Sequence, residues 1–415
     1  MDRMLESDEA ARRLGIKVTT LYAYVSRGLL ASHPAPEGRR RLFDLDEVER
    51  LARRSRQGKT VETRMATVTT AVTQLTDEGP VYRGRPATGL ATTSTYEDVA
   101  RWLWWGSGSG TGSGTGVGGP GVGGPRADDP WRPLDLVPPS ELSASDRMRW
   151  VVVMAGAHDR LRSDLRPEVV TATTARLSAT MVAALSRPGS GSPEPEVALV
   201  LADGVRRPDA LAARLTVRLS ARPTEALVGA VNAALVLLAD HELATSTMAV
   251  RVAASTRADP YDAVLAGMGT LAGPLHGGAS QQAYSLLLEA SHGGAERALN
   301  ETLRWQGILP GFGHSVYKQG DARFGVLLAL FEAMAPAEDV AMVHTLVSLA
   351  AEHHLPPPNV DLALAALAWS GGMPPDAGRT LFTVARLAGW TAHYLEELEE
   401  RPLRYRARAV YATPG

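Results

Sequence analysis

Four short segments combine histidine or aspartate with glycine, proline or small residues: DHELATST (240–247), GPLHGGASQQA (273–283), GFGHSVYKQGDAR (311–323) and PPNVDLAL (357–364). Imidazole and carboxyl groups are the side chains that most readily move protons near neutral pH. Glycines beside them let backbone approach a ligand closely and leave N–H groups open. A lone histidine in a helical protein is ordinarily a satisfied structural residue. Four such turns in succession, each between helical stretches, instead describe a site assembled from the ends of several helices.

The elements that must position these turns are helices almost throughout. Apolar residues recur three and four apart over 145–157, 165–185, 224–238, 245–256, 259–272, 279–290, 323–334, 338–354, 361–369 and 376–398. Gly/Pro clusters interrupt them, and the histidine-bearing turns fall at those breaks. Alternating patterns that predict strands are confined to short stretches near 66–74 and 80–82. Residues 106–125, GSGSGTGSGTGVGGPGVGGP, carry no side chains able to bury area and read as a flexible coil. Their G-x-G matches lack the preceding strand and following helix of a phosphate loop.

Composition narrows the classes further. The 415 residues are 45% hydrophobic and 21% charged, as in an ordinary globular protein, and contain no cysteine. That excludes disulfides, thiolate metal sites and a catalytic thiol, and it suits a cytoplasmic location. The apolar run from Ala226 to Ala239 is too short to span a bilayer and contains Asn232, so it reads as a buried helix and no membrane partner is expected. No metal site is expected either: His353 and His354 are adjacent, and neighbouring side chains on a helix diverge. Charge is uneven. Residues 1–60 hold 13 Lys/Arg against 9 Asp/Glu, net +4, and the remainder 30 against 36, net −6. A nucleic-acid partner is therefore considered for the head alone.

The four turns, with ARLAGWTAHYLEE (385–397) and RYRARAVY (404–411), stand in the order and spacing of the citrate synthase family, which residues 60–415 resemble. GPVYRG (79–84) and TYEDVARWLWWG (95–106) look like that family's N-terminal signature. The resemblance implies a mainly α fold of citrate-synthase-type large and small helical domains. It would be built from 59–105 and 130–415, with the small domain at roughly 275–375 and 106–129 as a Gly-rich insertion. It also implies a homodimer that condenses acetyl-CoA or propionyl-CoA with oxaloacetate and needs no cofactor. Asp361 matches the base that takes the acyl α-proton, His276 the group that hydrogen-bonds the thioester oxygen, and His314 the residue that polarises and protonates the ketone. His241 matches a substrate ligand, Arg323 and Arg386 the clamps on the oxaloacetate carboxylates, and Arg406 an arginine donated across the dimer interface. Lys318 is a candidate for a CoA phosphate.

The chemistry needs such a set. A carboxylate removes a thioester α-proton only if the developing enolate is stabilised at the same moment, and planar guanidinium groups suit a dicarboxylate. The plainer readings are that Asp361 is only a helix N-cap and Arg386 a solvated helix residue. Ala244, Ser280, Ser315 and Ala322, and the sequence Tyr405–Arg408, depart from the usual family pattern without removing a catalytic side chain.

Residues 7–56 resemble the winged helix-turn-helix heads of mercury-resistance-type regulators and excisionases, giving a domain over 1–58. The resemblance puts Thr19, Thr20 and Tyr22 toward the DNA major groove, with Arg39, Arg40 and Arg41 on phosphates or the minor groove. Two functions thus compete. One is an active condensing enzyme with an appended head. The other is a DNA-binding regulator whose body senses acyl-CoA or oxaloacetate with little turnover.

Overall fold

The computed structural model describes residues 4–14, 16, 18, 21, 25, 30–34, 41–45, 47–49, 68–106, 130–188, 195–273, 276–406 and 411. The chain divides into two compact units, Met1–Thr69 and Thr70–Gly415.

In the first unit, β1 (Met4–Glu6) leads directly into α1 (Ser7–Leu14), followed by β2 (His33–Pro34) and β3 (Arg41–Asp44). The strands form one antiparallel sheet in the order β1-β3-β2, with Leu5 opposite Phe43 and His33 opposite Leu42. Leu5, Ala10, Leu14, Leu21, Leu30, Phe43 and Val48 close a small core of their own. Arg41 is exposed on β3 and donates to Ser32 Oγ at 3.2 Å. Thr19, Thr20, Tyr22, Arg39 and Arg40 lie outside the described residues.

The second unit is helical. A three-stranded meander opens it: β4 (Thr73–Thr76), β5 (Gly79–Tyr82) and β6 (Arg85–Pro86). The strand expected at 66–74 is thus displaced toward the C-terminus, because the tight turn at Asp77–Glu78 sets the register, with Thr76 opposite Gly79 at φ +105°. Then come α2 (Ala87–Thr93), α3 (Tyr96–Trp105), α4 (Ala144–His158) and α5 (Pro167–Ala183). A two-stranded ribbon, β7 (Leu199–Val200) and β8 (Arg206–Arg207), precedes α6 (Leu211–Leu219), α7 (Glu225–Leu238), α8 (Thr245–Ser255) and α9 (Pro260–Leu271). The chain continues with α10 (Ala279–Gly293), α11 (Ala295–Gln306), α12 (Ala322–Met334), α13 (Ala337–Glu352), α14 (Val360–Ser370) and α15 (Ala377–Leu398).

The helix starts are written in side chains that accept from the second or third helical N–H. Thr95, Ser143, Thr224, Asp259, Asp321 and Asn359 each do so. Helix α7 is buried from Leu227 to Leu238 apart from Gly229 and forms the centre against which α2, α6, α12 and α15 pack. The 22-residue α15 lies beside it. Gly389 permits that approach: its N–H donates to Ala239 O at 3.0 Å, and a Cβ there would collide with that carbonyl and with Asp240. The α7–α15 contact therefore fixes the turn that carries His241. Among the described residues no helix is long and apolar enough to cross a membrane.

Candidate active site

Two loop segments distant in sequence are laced together before any side chain is considered. Phe312 and Pro358 form an isolated antiparallel bridge, Gly313 N–H donates to Pro357 O at 2.7 Å, and Asn359 N–H to Gly311 O at 2.9 Å. Gly311 is at φ +83°, and a Cβ there would meet Leu362 at 2.9 Å. The lacing places the GFGH loop against the start of α14. Asn359 caps that helix through its side-chain oxygen, and its amide nitrogen donates to Gly313 O at 2.6 Å. The cap is thus Asn359, and Asp361 stands one place inside the helix with its carboxyl free to face elsewhere.

Asp321 completes the frame. Its carboxylate accepts from Arg323 Nε and Nη2 at 2.9 and 2.8 Å, from Arg323 N–H at 3.1 Å and from Val360 N–H at 3.0 Å. One buried anion therefore orients Arg323 and joins α12 to α14. Burial works against a charge on Asp321, yet Arg323 and the backbone donors hold its pKa below the ordinary value.

A cavity of about 900 Å³ opens where these loops meet the turns before α8 and α10. His241, His276, His314, Arg323, Asp361 and Arg386 all line it, so six of the expected residues converge from five separate segments. Lys318 and Arg406 do not line it. Lys318 is exposed and donates to His314 O at 3.1 Å, within its own loop. Arg406 is exposed in a different groove, beside Val252, Leu403 and Tyr405.

Hydrogen bonds fix the orientation of the three rings. His314 Nδ1 accepts from Val316 N–H at 3.0 Å and Tyr317 N–H at 3.2 Å, and its Nε2 lies 3.4 Å from Arg323 Nη2. His241 Nε2 meets Tyr317 Oη at 3.1 Å, and the Tyr317 ring stacks on His314 with centroids 4.7 Å apart. His276 Nε2 meets Ser246 Oγ at 2.8 Å, and its ring stands edge-on to Phe382. Burial first, then neighbouring guanidinium groups, depress all three imidazoles: His276 to about 4, aided by Arg386; His241 well below the usual range; His314 also downward, aided by Arg323. They are neutral at physiological pH and available as donors.

Asp361 moves the other way. Burial raises its pKa to about 6, against the pull of Arg323. Arg386 is 1% exposed, not solvated; Nε donates to Leu238 O at 2.9 Å and the guanidinium sits over Phe382. Its Nη1 is buried with no partner among the described residues. A buried cation with an unmet donor at a cavity wall is suited to receive an anion.

Residues 61–408 match the family model described as citrate synthase, C-terminal domain, and residues 4–56 that of a helix-turn-helix domain. The chain belongs to the citrate synthase family. Among curated relatives, citrate synthase 2 of Bacillus subtilis is 36% identical over 46% of this chain and 53% of its own. The 2-methylcitrate synthase 2 of Corynebacterium glutamicum is 35% identical over 41% and 45%. The chain thus spans about half the length of these two relatives. The citrate synthase of Mycolicibacterium smegmatis is 29% identical over 81% of this chain and 90% of its own. A solved structure of Thermoplasma acidophilum citrate synthase, in ternary complex with carboxymethyl coenzyme A and oxaloacetate, shares the fold. Its TM-score is 0.65 at 23% identity, covering 86% of this chain and 96% of that one. The expected mainly α, citrate-synthase-type fold with an N-terminal helix-turn-helix is therefore correct.

Within this citrate synthase fold several cavity residues and their partners carry no signal of their own in the sequence. Ser246 lies five places after His241, at the second position of α8. Tyr317 and Asp321 lie inside the GFGHSVYKQGDAR segment, and Phe382 one helical turn before Arg386. Of the departures from the family pattern, Ala244 and Ser315 line the cavity, whereas Ser280 is buried where α10 meets Gly378. No group of three or more His, Cys, Asp or Glu able to hold a metal occurs among the described residues.

Proposed function

We propose that this protein condenses an acyl-CoA, acetyl-CoA or propionyl-CoA, with oxaloacetate to give citrate or 2-methylcitrate and CoA. The observation that carries the reading is the single cavity where a raised-pKa carboxyl, two neutral imidazoles and two buried guanidinium groups meet.

Asp361 takes the α-proton of the acyl thioester, and a pKa of about 6 makes it a stronger base than an ordinary aspartate while leaving it ionised at pH 7. His276 donates to the thioester oxygen. When the Ser246 hydroxyl donates to Nε2, the donor to substrate is Nδ1–H, and Ser246 then holds that tautomer. The enol carbon then attacks the ketone of oxaloacetate, forming the carbon–carbon bond, and His314 supplies the proton that the new alkoxide takes. Water cleaves the resulting CoA thioester, releasing the carboxylate and CoA thiol. Arg323 and Arg386 pair with the carboxylates of oxaloacetate, His241 adds a hydrogen bond, and Arg406 enters from the partner subunit of a homodimer. Lys318 meets a CoA phosphate at the rim.

The helix-turn-helix match supports a second activity for the head, DNA binding through Thr19, Thr20, Tyr22 and Arg39–Arg41. Steady-state release of CoA thiol, measured with oxaloacetate and each acyl-CoA in turn, tests the enzyme reading. Purified protein that binds both substrates and releases no thiol would make the body a sensor for the head.

A further inference from the structure

Four ionisable side chains outside the cavity, Asp240, His393, Arg251 and Glu397, are each 0% exposed. Burying charged groups is costly even when they are paired, and none of the four touches the cavity. They form one continuous line. Asp240 Oδ2 accepts from Glu242 N–H at 3.2 Å, bracing the turn that holds His241, and lies 3.1 Å from His393 Nε2. Arg251 Nη1 lies 3.1 Å from His393 Nδ1; arginine can only donate, so Nδ1 accepts and Nε2–H donates to Asp240. Arg251 Nε donates to Glu397 Oε2 at 2.9 Å.

The far end of the line grips the chain just after α15. Glu397 accepts from Arg404 Nε and Nη2 at 2.7 and 2.6 Å and from Tyr405 Oη at 2.8 Å. Leu403, at φ +60°, donates its N–H to Ser255 O at 2.9 Å. Three successive residues are thus pinned, and the next, Arg406, is exposed.

We infer that Glu397 is a positioning residue for Arg406, holding Arg404 and Tyr405 so that Arg406 is aimed out of its own subunit and into the site of a second copy. The inference rests on the proposed crossing of Arg406. It adds a directional consequence: Glu397 acts directly on the neighbour's site, whereas its link to the turn of its own His241 runs through three intervening side chains.

Hybrid dimers separate the two. Chains carrying Asp361→Ala and Arg406→Ala, co-expressed with different tags and purified as the mixed dimer, leave one site with both good residues. Adding Glu397→Gln to the Asp361→Ala chain, whose tail serves that site, should raise the KM for oxaloacetate by about tenfold or more, the scale of a charge-assisted hydrogen bond. Adding it to the Arg406→Ala chain should leave the hybrid at the parental KM. Tyr405→Phe, which removes one bond to Glu397 and a 3.3 Å acceptor of Arg251 Nε but leaves both charges paired with each other, should follow the same asymmetry more weakly and serves if Glu397→Gln does not fold. Equal effects on the two arrangements, or none on either, overturn the inference while the condensation reading stands. A parental hybrid that remains silent removes the crossing arginine and this inference together.

Discussion

Replacing Asp361 with asparagine should make the substrate-free protein more stable at neutral pH, even as it destroys the proposed base. The carboxyl titrates at about 6 in the folded chain against an ordinary value of 3.8. The folded state therefore binds that proton more tightly than the unfolded one. Between pH 4 and 6 the unfolded chain has already lost the proton, and stability falls as pH rises through this window. Above pH 6 the whole penalty is present. The gap corresponds to about 3 kcal/mol, an upper figure because a half-buried carboxylate keeps some contact with water. The carboxamide fills nearly the same volume and carries no charge, so the Asp361→Asn variant should gain about 1–3 kcal/mol over the parent at pH 8 and nothing at pH 4. The assay is urea unfolding followed by tryptophan fluorescence at the two pH values. All eight tryptophans lie beyond residue 100, so the signal reads the second unit without the head. A variant that is less stable at pH 8, or more stable by the same margin at both pH values, would refute the claim that burial raises this carboxyl.

Three further outcomes are expected. Asp361→Ala should abolish CoA release while oxaloacetate still binds in calorimetry, because the base acts on the other substrate; His276→Ala should behave likewise. Arg386→Ala should weaken oxaloacetate binding by about 10- to 100-fold, the scale of a hydrogen bond between charged partners, and an unchanged affinity would remove it from the carboxylate site. Replacing Arg39, Arg40 and Arg41 with Ala should weaken DNA binding across all sequences and flatten its salt dependence. Purified protein that shifts no DNA at low ionic strength would leave the head a packing or protein-docking role.

Sequence periodicity locates most of the helices well because their apolar faces and their breaks are both local. The segments read at 224–238, 245–256 and 259–272 are Glu225–Leu238, Thr245–Ser255 and Pro260–Leu271 in the structure. Helices α2, α3, α6 and α11 escape that reading. Gly and Thr dilute the pattern of α2, and α11 presents only Ala295, Ala298, Leu299 and Thr302 inward from a polar sequence. The cavity residues are legible where a motif carries them. Their partners are not, because those bonds join residues far apart: Ser246 meets His276 thirty residues on, and Asp321 meets Val360 thirty-nine on. Which ring nitrogen bears a proton is likewise a matter of tertiary contact, as is the pairing that sets Glu397 against Arg404 and Tyr405.

Asp321 carries a consequence for anyone who would rebuild this site in another scaffold. Copying His241, His276, His314, Arg323, Asp361 and Arg386 would transplant every group proposed to meet a substrate and still omit the joint that spaces them. Without Asp321, Arg323 loses the partner that sets its angle, and α12 loses its bond to the first residue of α14. The smallest transferable unit is thus the two laced loops with the carboxylate between them, and a graft should be judged by whether that joint survives before it is judged by turnover.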